Sequence, residues 1–191
     1  MNHGTRDGGC DAKRERDVDY EGDWSKGKTG LDLFVRDLAL CLSVHRDRGP
    51  ALVWPDGADA VLSEDGGVRR GRADPGPERE GVAAGTARLT SGLGDLLGCR
   101  VGSSYLTLPT GARSTGDTAA TDLVLLPVRG SCDGRVEPSP PGQTRAVLDR
   151  ALELRLRVGE ALYVPSGFGY ELNEAHSPCT LLVLALHPPA W

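Results

Sequence analysis

The sequence predicts a mainly β fold, a double-sheet jelly roll preceded by helices, through the spacing of its apolar residues. Beyond Gly98, short apolar runs are separated by Gly, Pro, Asp and Ser, the alternation of strands and turns expected of an all-β domain. Leu152, Leu154, Leu156 and Val158 alternate with Glu153, Arg155 and Arg157, the period-two pattern of a strand with one face in water. Upstream, Leu31, Phe34, Val35, Leu38, Cys41, Leu42 and His45 recur at helical spacing instead. An unrelated small β-barrel is the competing architecture.

Along the chain, residues 1–28 carry many charges and glycines but few large apolar groups, too few to offset the entropy of ordering them. They read as a polar leader. Residues 29–98 form a helical and short-strand elaboration, starting with an amphipathic helix of about four turns behind a Thr29 N-cap and stopping near Gly49-Pro50. Residues 51–54 read as a short strand, Pro55-Asp56-Gly57 as a turn and 58–62 as another strand. Residues 63–81, rich in Gly, Arg, Asp, Glu and Pro, mark a surface excursion, and a second helix covers part of 82–97, weakened by Gly85, Gly92 and Gly94.

Residues 99–191 hold the jelly-roll core, with strands expected at 101–108, 121–128, 152–158, 161–164, 168–172 and 180–186. The unbroken apolar run from Leu181 to Leu186 should be buried on both faces. Residues 137–143 read as a loop and 144–151 as one or two helical turns. At 191 residues the chain suits one compact domain.

The net charge of -5 gives no electrostatic case for nucleic acid or an anionic membrane surface, so a small molecule, a peptide or a protein is the expected partner. The five cysteines, Cys10, Cys41, Cys99, Cys132 and Cys179, are odd in number and lack a C-x-x-C pair, which argues for reduced structural thiols rather than a zinc knuckle or disulfide scaffold. With no signal-type apolar segment near the N-terminus and no run of bilayer length, a cytoplasmic, membrane-free protein is expected. Basic charge comes almost wholly from arginine, with Lys13, Lys26 and Lys28 the only lysines, which together with abundant Ala and Gly points to a GC-rich bacterial genome. No P-loop, Rossmann fingerprint, Gly-x-Ser-x-Gly elbow or zinc-binding helix is present.

The densest motif is Gly159-Glu160-Ala161-Leu162-Tyr163-Val164-Pro165-Ser166-Gly167-Phe168-Gly169-Tyr170, which reads as a hairpin: strand, Pro-x-Gly turn, strand. It resembles the G-D-x-L-Y-x-P-x-G-x-x-H segment of the JmjC-like branch of the cupin superfamily, which includes bacterial and ribosomal protein hydroxylases. Other landmarks occur in the family's order between about Gly85 and His187. Leu93 to Val101 resembles its helix and tight turn, Ser104-Tyr105-Leu106-Thr107-Leu108-Pro109 its Asn-x-Tyr-x-Thr-x-Pro stretch, and Thr121 to Gly130 its His-Asp-Val-Phe-Val-Leu-Gln strand and Gly turn. The resemblance implies a double-stranded β-helix, the cupin jelly roll.

Active members of that family hold ferrous iron with a His-x-Asp pair and a distal His, leaving positions for 2-oxoglutarate and oxygen. Matched to this chain, those positions fall on Asp117, Ala119 and Tyr170, and residues 100–175 contain no histidine. Alanine cannot ligate, and a neutral phenol is a poor ligand. The closing strand offers only apolar side chains where the family places polar ones, and the basic residue after the Gly turn has no clean equivalent, Arg135 being the candidate displaced into that role. Neither iron nor 2-oxoglutarate is therefore expected, and the pocket mouth is expected to carry Tyr105, Thr107, Asp117, Tyr170 and Arg135.

The leading expectation is a degenerate JmjC-like cupin that binds a small molecule or peptide, or serves as partner subunit of a biosynthetic enzyme. The resemblance adds pairing through the N-terminal helices, as homodimer or heteromer. The rival is a metal-independent isomerase, epimerase, cyclase or lyase with Asp117 as base and Tyr170 as acid, Glu171 behind them. A third reading is an oxygenase with displaced ligands Asp117, Glu171 and His176. Against these stand plainer roles: Asp117 as a turn residue, Tyr170 as filler of vacated volume, His176 and His187 as surface groups, Asp122 as a structural hydrogen-bonder, and Cys132 and Cys179 as inert thiols.

Overall fold

The computed structural model describes residues 30–46, 48–59, 61, 78–114, 116–137, 150–173 and 175–188. The expected leader, the Thr29 cap, Leu62, most of the 63–81 excursion and the segment 138–149 lie outside the described residues. Helix α1 spans Gly30–His45, strand β1 Ala51–Val53 and helix α2 Glu78–Leu97. The strands that follow are β2 Arg100–Leu108, β3 Asp117–Thr118, β4 Asp122–Arg129, β5 Ser131–Val136, β6 Leu152–Arg157, β7 Ala161–Val164, β8 Gly169–Asn173 and β9 Cys179–His187. Among the described residues no helix is long and apolar enough to cross a membrane.

The strands form a five-stranded sheet in the order β1-β7-β4-β9-β2 and a four-stranded sheet in the order β3-β8-β5-β6, with every pairing antiparallel. The larger sheet is covered on both faces. On one, Val124, Leu126, Leu182, Leu184 and Leu186 pack against Phe34, Leu38 and Leu42 of α1 and Leu89 and Leu93 of α2. On the other, Leu123, Leu125, Leu162, Val164 and Leu181 meet Cys132, Val136, Leu156 and Leu172 of the smaller sheet. The result is a double-sheet jelly roll with a helical layer on its outside, as the patterning predicts.

The strand of residues 58–62 is not formed: Ala58, Asp59 and Val61 are helical. Ala58 and Val61 both pack into the helix-side core, and a spacing of three residues reaches one face only in a helical turn. Gly57 makes the approach possible, because its φ of 79° and the 2.2 Å from a built Cβ to the Gly30 carbonyl oxygen both exclude a side chain. Strand β5 is not foreseen, because its inward residues are Cys132, Gly134 and Val136 rather than large aliphatics. Leu154, Leu156 and Leu162 pack around Gly134, with atoms 3.4–3.6 Å from where a Cβ would lie. Val158, grouped by alternation with Leu152, Leu154 and Leu156, lies beyond β6 in a turn and is 42% exposed.

The segment 159–170 forms strand, turn and strand, but not a hairpin. Its strand β7 pairs with β1 and β4 in one sheet, while β8 pairs with β3 and β5 in the other. The turn between them carries the chain across the jelly roll. Phe168 N–H bonds the Pro165 carbonyl at 3.2 Å, and Gly167, at φ 87°, takes the turn position that requires a left-handed residue. A lattice of bonds fixes this crossing: Gly167 N–H to Ala119 O at 2.7 Å, Ala119 N–H to Phe168 O at 2.9 Å, and Ser166 N–H to the Asp122 carboxylate at 2.9 Å.

Asp122 has a second partner, Arg46 at the end of α1, 3.3 Å from its other oxygen. The Arg46 carbonyl in turn accepts from the hydroxyl of Tyr163, whose ring is wholly buried, at 3.1 Å. Helix end, β4 and the crossing turn are thereby joined. Asp122→Ala should lower unfolding stability by about 1–3 kcal/mol and Tyr163→Phe by about 0.5–1.5 kcal/mol, measured by urea titration. Equal stability of Asp122→Ala and the parent would remove this role.

Candidate functional site

The residues expected at the pocket mouth do not assemble as a set. Asp117 and Tyr170 do: they are directly opposed across the β3–β8 pair, so their side chains leave the same face of the smaller sheet. β3 is the edge strand there, which puts the pair at the rim of the jelly roll. The Asp117 carboxylate accepts a 2.7 Å bond from the following amide of Thr118, the local bonding of a turn aspartate. Tyr170 is half-buried against the inter-sheet core, and burial, followed by the negative charge of Asp117, pushes its phenol pKa up. It is therefore a neutral hydrogen-bond donor at ordinary pH.

Tyr105 and Thr107 are placed elsewhere. In β2 it is Leu106 and Leu108 that contact the inter-sheet core, so the intervening residues face the helical layer and solvent. The Tyr105 hydroxyl lies 2.9 Å from Thr86 Oγ1 on α2. Arg135 is likewise not at the mouth: in β5 Cys132, Gly134 and Val136 point inward, which turns Arg135 to the outer face. There it donates to Glu137 at 2.8 Å and Glu153 at 3.3 Å. Its displacement into an oxoglutarate-binding role is thus corrected by strand parity.

Glu171, one residue from Tyr170, leaves the opposite face of β8, with its carboxylate beside Gly116 and Asn173. His176 sits 3.6 Å from Asp133. His187 is paired in register with Arg100 at the end of β9. Asp117, Glu171 and His176 therefore do not converge. Among the described residues no group of three or more His, Cys, Asp or Glu side chains is arranged to hold a metal ion.

Much of the space between the sheets, where a jelly roll would house a ligand, is filled by the chain's own side chains, while Leu106, Leu152, Leu154, Tyr170, Val183 and Ala185 beside them stay partly exposed. Leu125, Leu162, Val164, Phe168, Leu172 and Leu181 are each no more than 1% exposed. Ala119 is buried in the same cluster with its amide committed to Phe168. Ferrous iron and 2-oxoglutarate do not fit these residues. The donors at the rim are one carboxylate bonded to the next amide and one phenol held protonated, and among the described residues of β5 no cation faces the interior to receive an oxoglutarate carboxylate. Sequence reasoning found the rim pair but missed this packing between the sheets, of which Leu181 in the apolar run of β9 was the one visible part.

No protein-family model matches the chain, and no curated protein matches it by sequence. Solved structures do match by shape. The Drosophila melanogaster CENP-C cupin domain is 18% identical over 44% of this chain and 59% of its own, with a TM-score of 0.37. RmlC from Streptococcus suis, in complex with dTDP-D-xylose, is 13% identical over 48% of this chain and 45% of its own, with a TM-score of 0.39. A Pseudomonas putida prolyl-4-hydroxylase is 14% identical over 84% of this chain and 95% of its own, with a TM-score of 0.47. The chain thus spans less than two thirds of the first of these, and the neighbours are cupin-fold proteins.

Because Asp117 adds to the upward shift of Tyr170, Asp117→Asn should lower the pH at which the phenolate of Tyr170 appears, read as a difference spectrum against Tyr170→Phe. An unchanged titration would separate the two side chains. A second expectation concerns the buried Cys132 thiol, which burial, with help from neighbouring Cys179 and Asp133, pushes from 9.0 up to about 12. An acid whose folded pKa is raised contributes stability that is complete below the unfolded value and lost as pH climbs to the folded one. Cys132→Ala should therefore flatten the loss of stability between about pH 9 and about pH 12, measured as urea midpoints along that range.

Proposed function

We propose that this protein is a degenerate JmjC-like cupin that works by binding, as a partner subunit, and that its working surface is the outside of the jelly roll. One observation carries the reading: much of the inter-sheet space is filled by leucine, valine and phenylalanine side chains that are at most 1% exposed. A ligand entering that part would have to displace them, each at a cost of about 1.5–3 kcal/mol of lost burial. The polar rim of Asp117 and Tyr170 is left as a place for a hydrogen-bonding group of a peptide or small molecule to dock against the edge.

The surface best suited to a partner is the outer side of α1. This helix buries Leu31, Phe34, Val35, Leu38, Ala39 and Leu42 inward, yet it also exposes Leu40 and Val44, one turn apart, at 59% and 49%. A helix apolar on both sides is suited to a second layer. The occupant we assign is α1 of a second copy, since the exposed Leu40 and Val44 pair would be covered by its own equivalent across a two-fold axis.

Sedimentation of the full chain should show a dimer, and Leu40→Glu with Val44→Glu should weaken it by about tenfold or more without changing the thermal midpoint. A parent chain that is monomeric at all concentrations would discard self-pairing. For the catalytic question, the purified protein supplied with ferrous iron and 2-oxoglutarate should neither retain stoichiometric iron nor consume oxoglutarate. Both occurring together would overturn the binding role.

The direct opposition of Asp117 and Tyr170 supports a second reading, metal-independent proton transfer with the carboxylate as base and the phenol as acid. The two readings part at Tyr170→Phe. Binding through a hydrogen bond loses affinity alone, whereas an acid–base enzyme loses kcat.

A further inference from the structure

We infer that Cys132 and Cys179 form a redox-dependent disulfide site that ties β5 of the smaller sheet to β9 of the larger one. The inference is independent of the binding role. Both side chains are fully buried in the inter-sheet core. They come together because the turn between β4 and β5 lies against the start of β9. Gly130, at φ 72°, approaches so closely that a Cβ there would stand 2.5 Å from the Pro178 carbonyl oxygen and 3.0 Å from the Cys179 Cα. Two residues further on, on the inward face of β5, the Cys132 thiol meets the Cys179 thiol and hydrogen-bonds to it. Oxidation would bring the sulfurs from hydrogen-bond contact to the ~2.05 Å of a disulfide.

The other cysteines with described positions are kept apart from this pair. Cys41 and Cys99 pack into the helix-side core, on the far face of the five-stranded sheet. Exchange between the two sets would have to cross that sheet. Outside the pair, Asp133 follows Cys132 on the outer face of β5 and lies 3.6 Å from His176 in the segment that leads into β9.

The oxidant is a small-molecule disulfide such as oxidised glutathione. The Cys132 thiol donates to the Cys179 sulfur, so Cys179 is the more readily ionised of the two and attacks first. Its thiolate bonds one sulfur of the oxidant and expels the other half as a thiolate. Cys132 then gives up its proton and attacks the Cys179 sulfur of the mixed disulfide, forming the Cys132–Cys179 bond and expelling the second half. The two protons released by the protein convert the two expelled thiolates to thiols, and the protein's two thiols have lost two electrons to the oxidant.

The test is a thiol count on the denatured full chain after the folded protein has been held in oxidised glutathione, and again after refolding in a glutathione redox buffer, where opening is not required. Expected is a fall by two from the five thiols of the reduced chain, a mapped peptide joining Cys132 to Cys179, and a thermal midpoint that rises and returns on addition of dithiothreitol. Cys132→Ala and Cys179→Ala should each lose that fall in thiols. Five free thiols in both arms of the unsubstituted protein, or mapped bonds that engage Cys10, Cys41 or Cys99 instead, would overturn the site.

Discussion

Everything in this molecule depends on one sheet being buried on both faces. β4, β7 and β9 lie at the centre of the five-stranded sheet, and their successive side chains go alternately to the helical layer and to the inter-sheet space. Leu182, Leu184 and Leu186 anchor α1 and α2, while Leu181 helps close the jelly roll. A strand in this position cannot carry a polar residue on either face without a buried partner. The same requirement that holds the layers together therefore removes polar groups from the place where a cupin-fold enzyme would need them.

Polar chemistry is displaced to the periphery, where it serves the chain's connections. Asp122 joins a helix end to the turn that carries the chain between sheets, and Tyr163 buries its ring while its hydroxyl reaches the Arg46 carbonyl. The Thr121 hydroxyl bonds the Leu186 carbonyl beside them. Asp117 and Tyr170 remain as a pair on the edge strand, one satisfied locally and the other held neutral by burial and by its neighbour's charge. Such a rim suits recognition by hydrogen bonding, and an apolar outer face on α1 suits association.

Two glycine-bearing turns show how close approach couples the layers. Gly57 lets the segment after β1 press onto the start of α1, and Gly130 lets the β4–β5 turn press onto the start of β9. The second approach brings two thiols from different sheets into contact. Neither could be recognised from spacing, since Cys132 and Cys179 are far apart in the chain and share no motif.

What the amino-acid order determined by itself was periodicity. Alternation in β6, the unbroken apolar run of β9, the helical stripe of α1 and the Pro-x-Gly turn were all legible, because each is a local pattern imposed by backbone geometry. Asp117 and Tyr170 were named as candidates, but their direct pairing was not legible. Tertiary structure decided which face each strand turned inward, and that moved Arg135 outward and Tyr105 and Thr107 toward the helical layer. It also decided that β7 and β8 belong to different sheets, and that Ala58 and Val61 pack as a helical turn. The reason is physical: a period says that a strand has two faces, but only contact with the opposite layer says which one is dry.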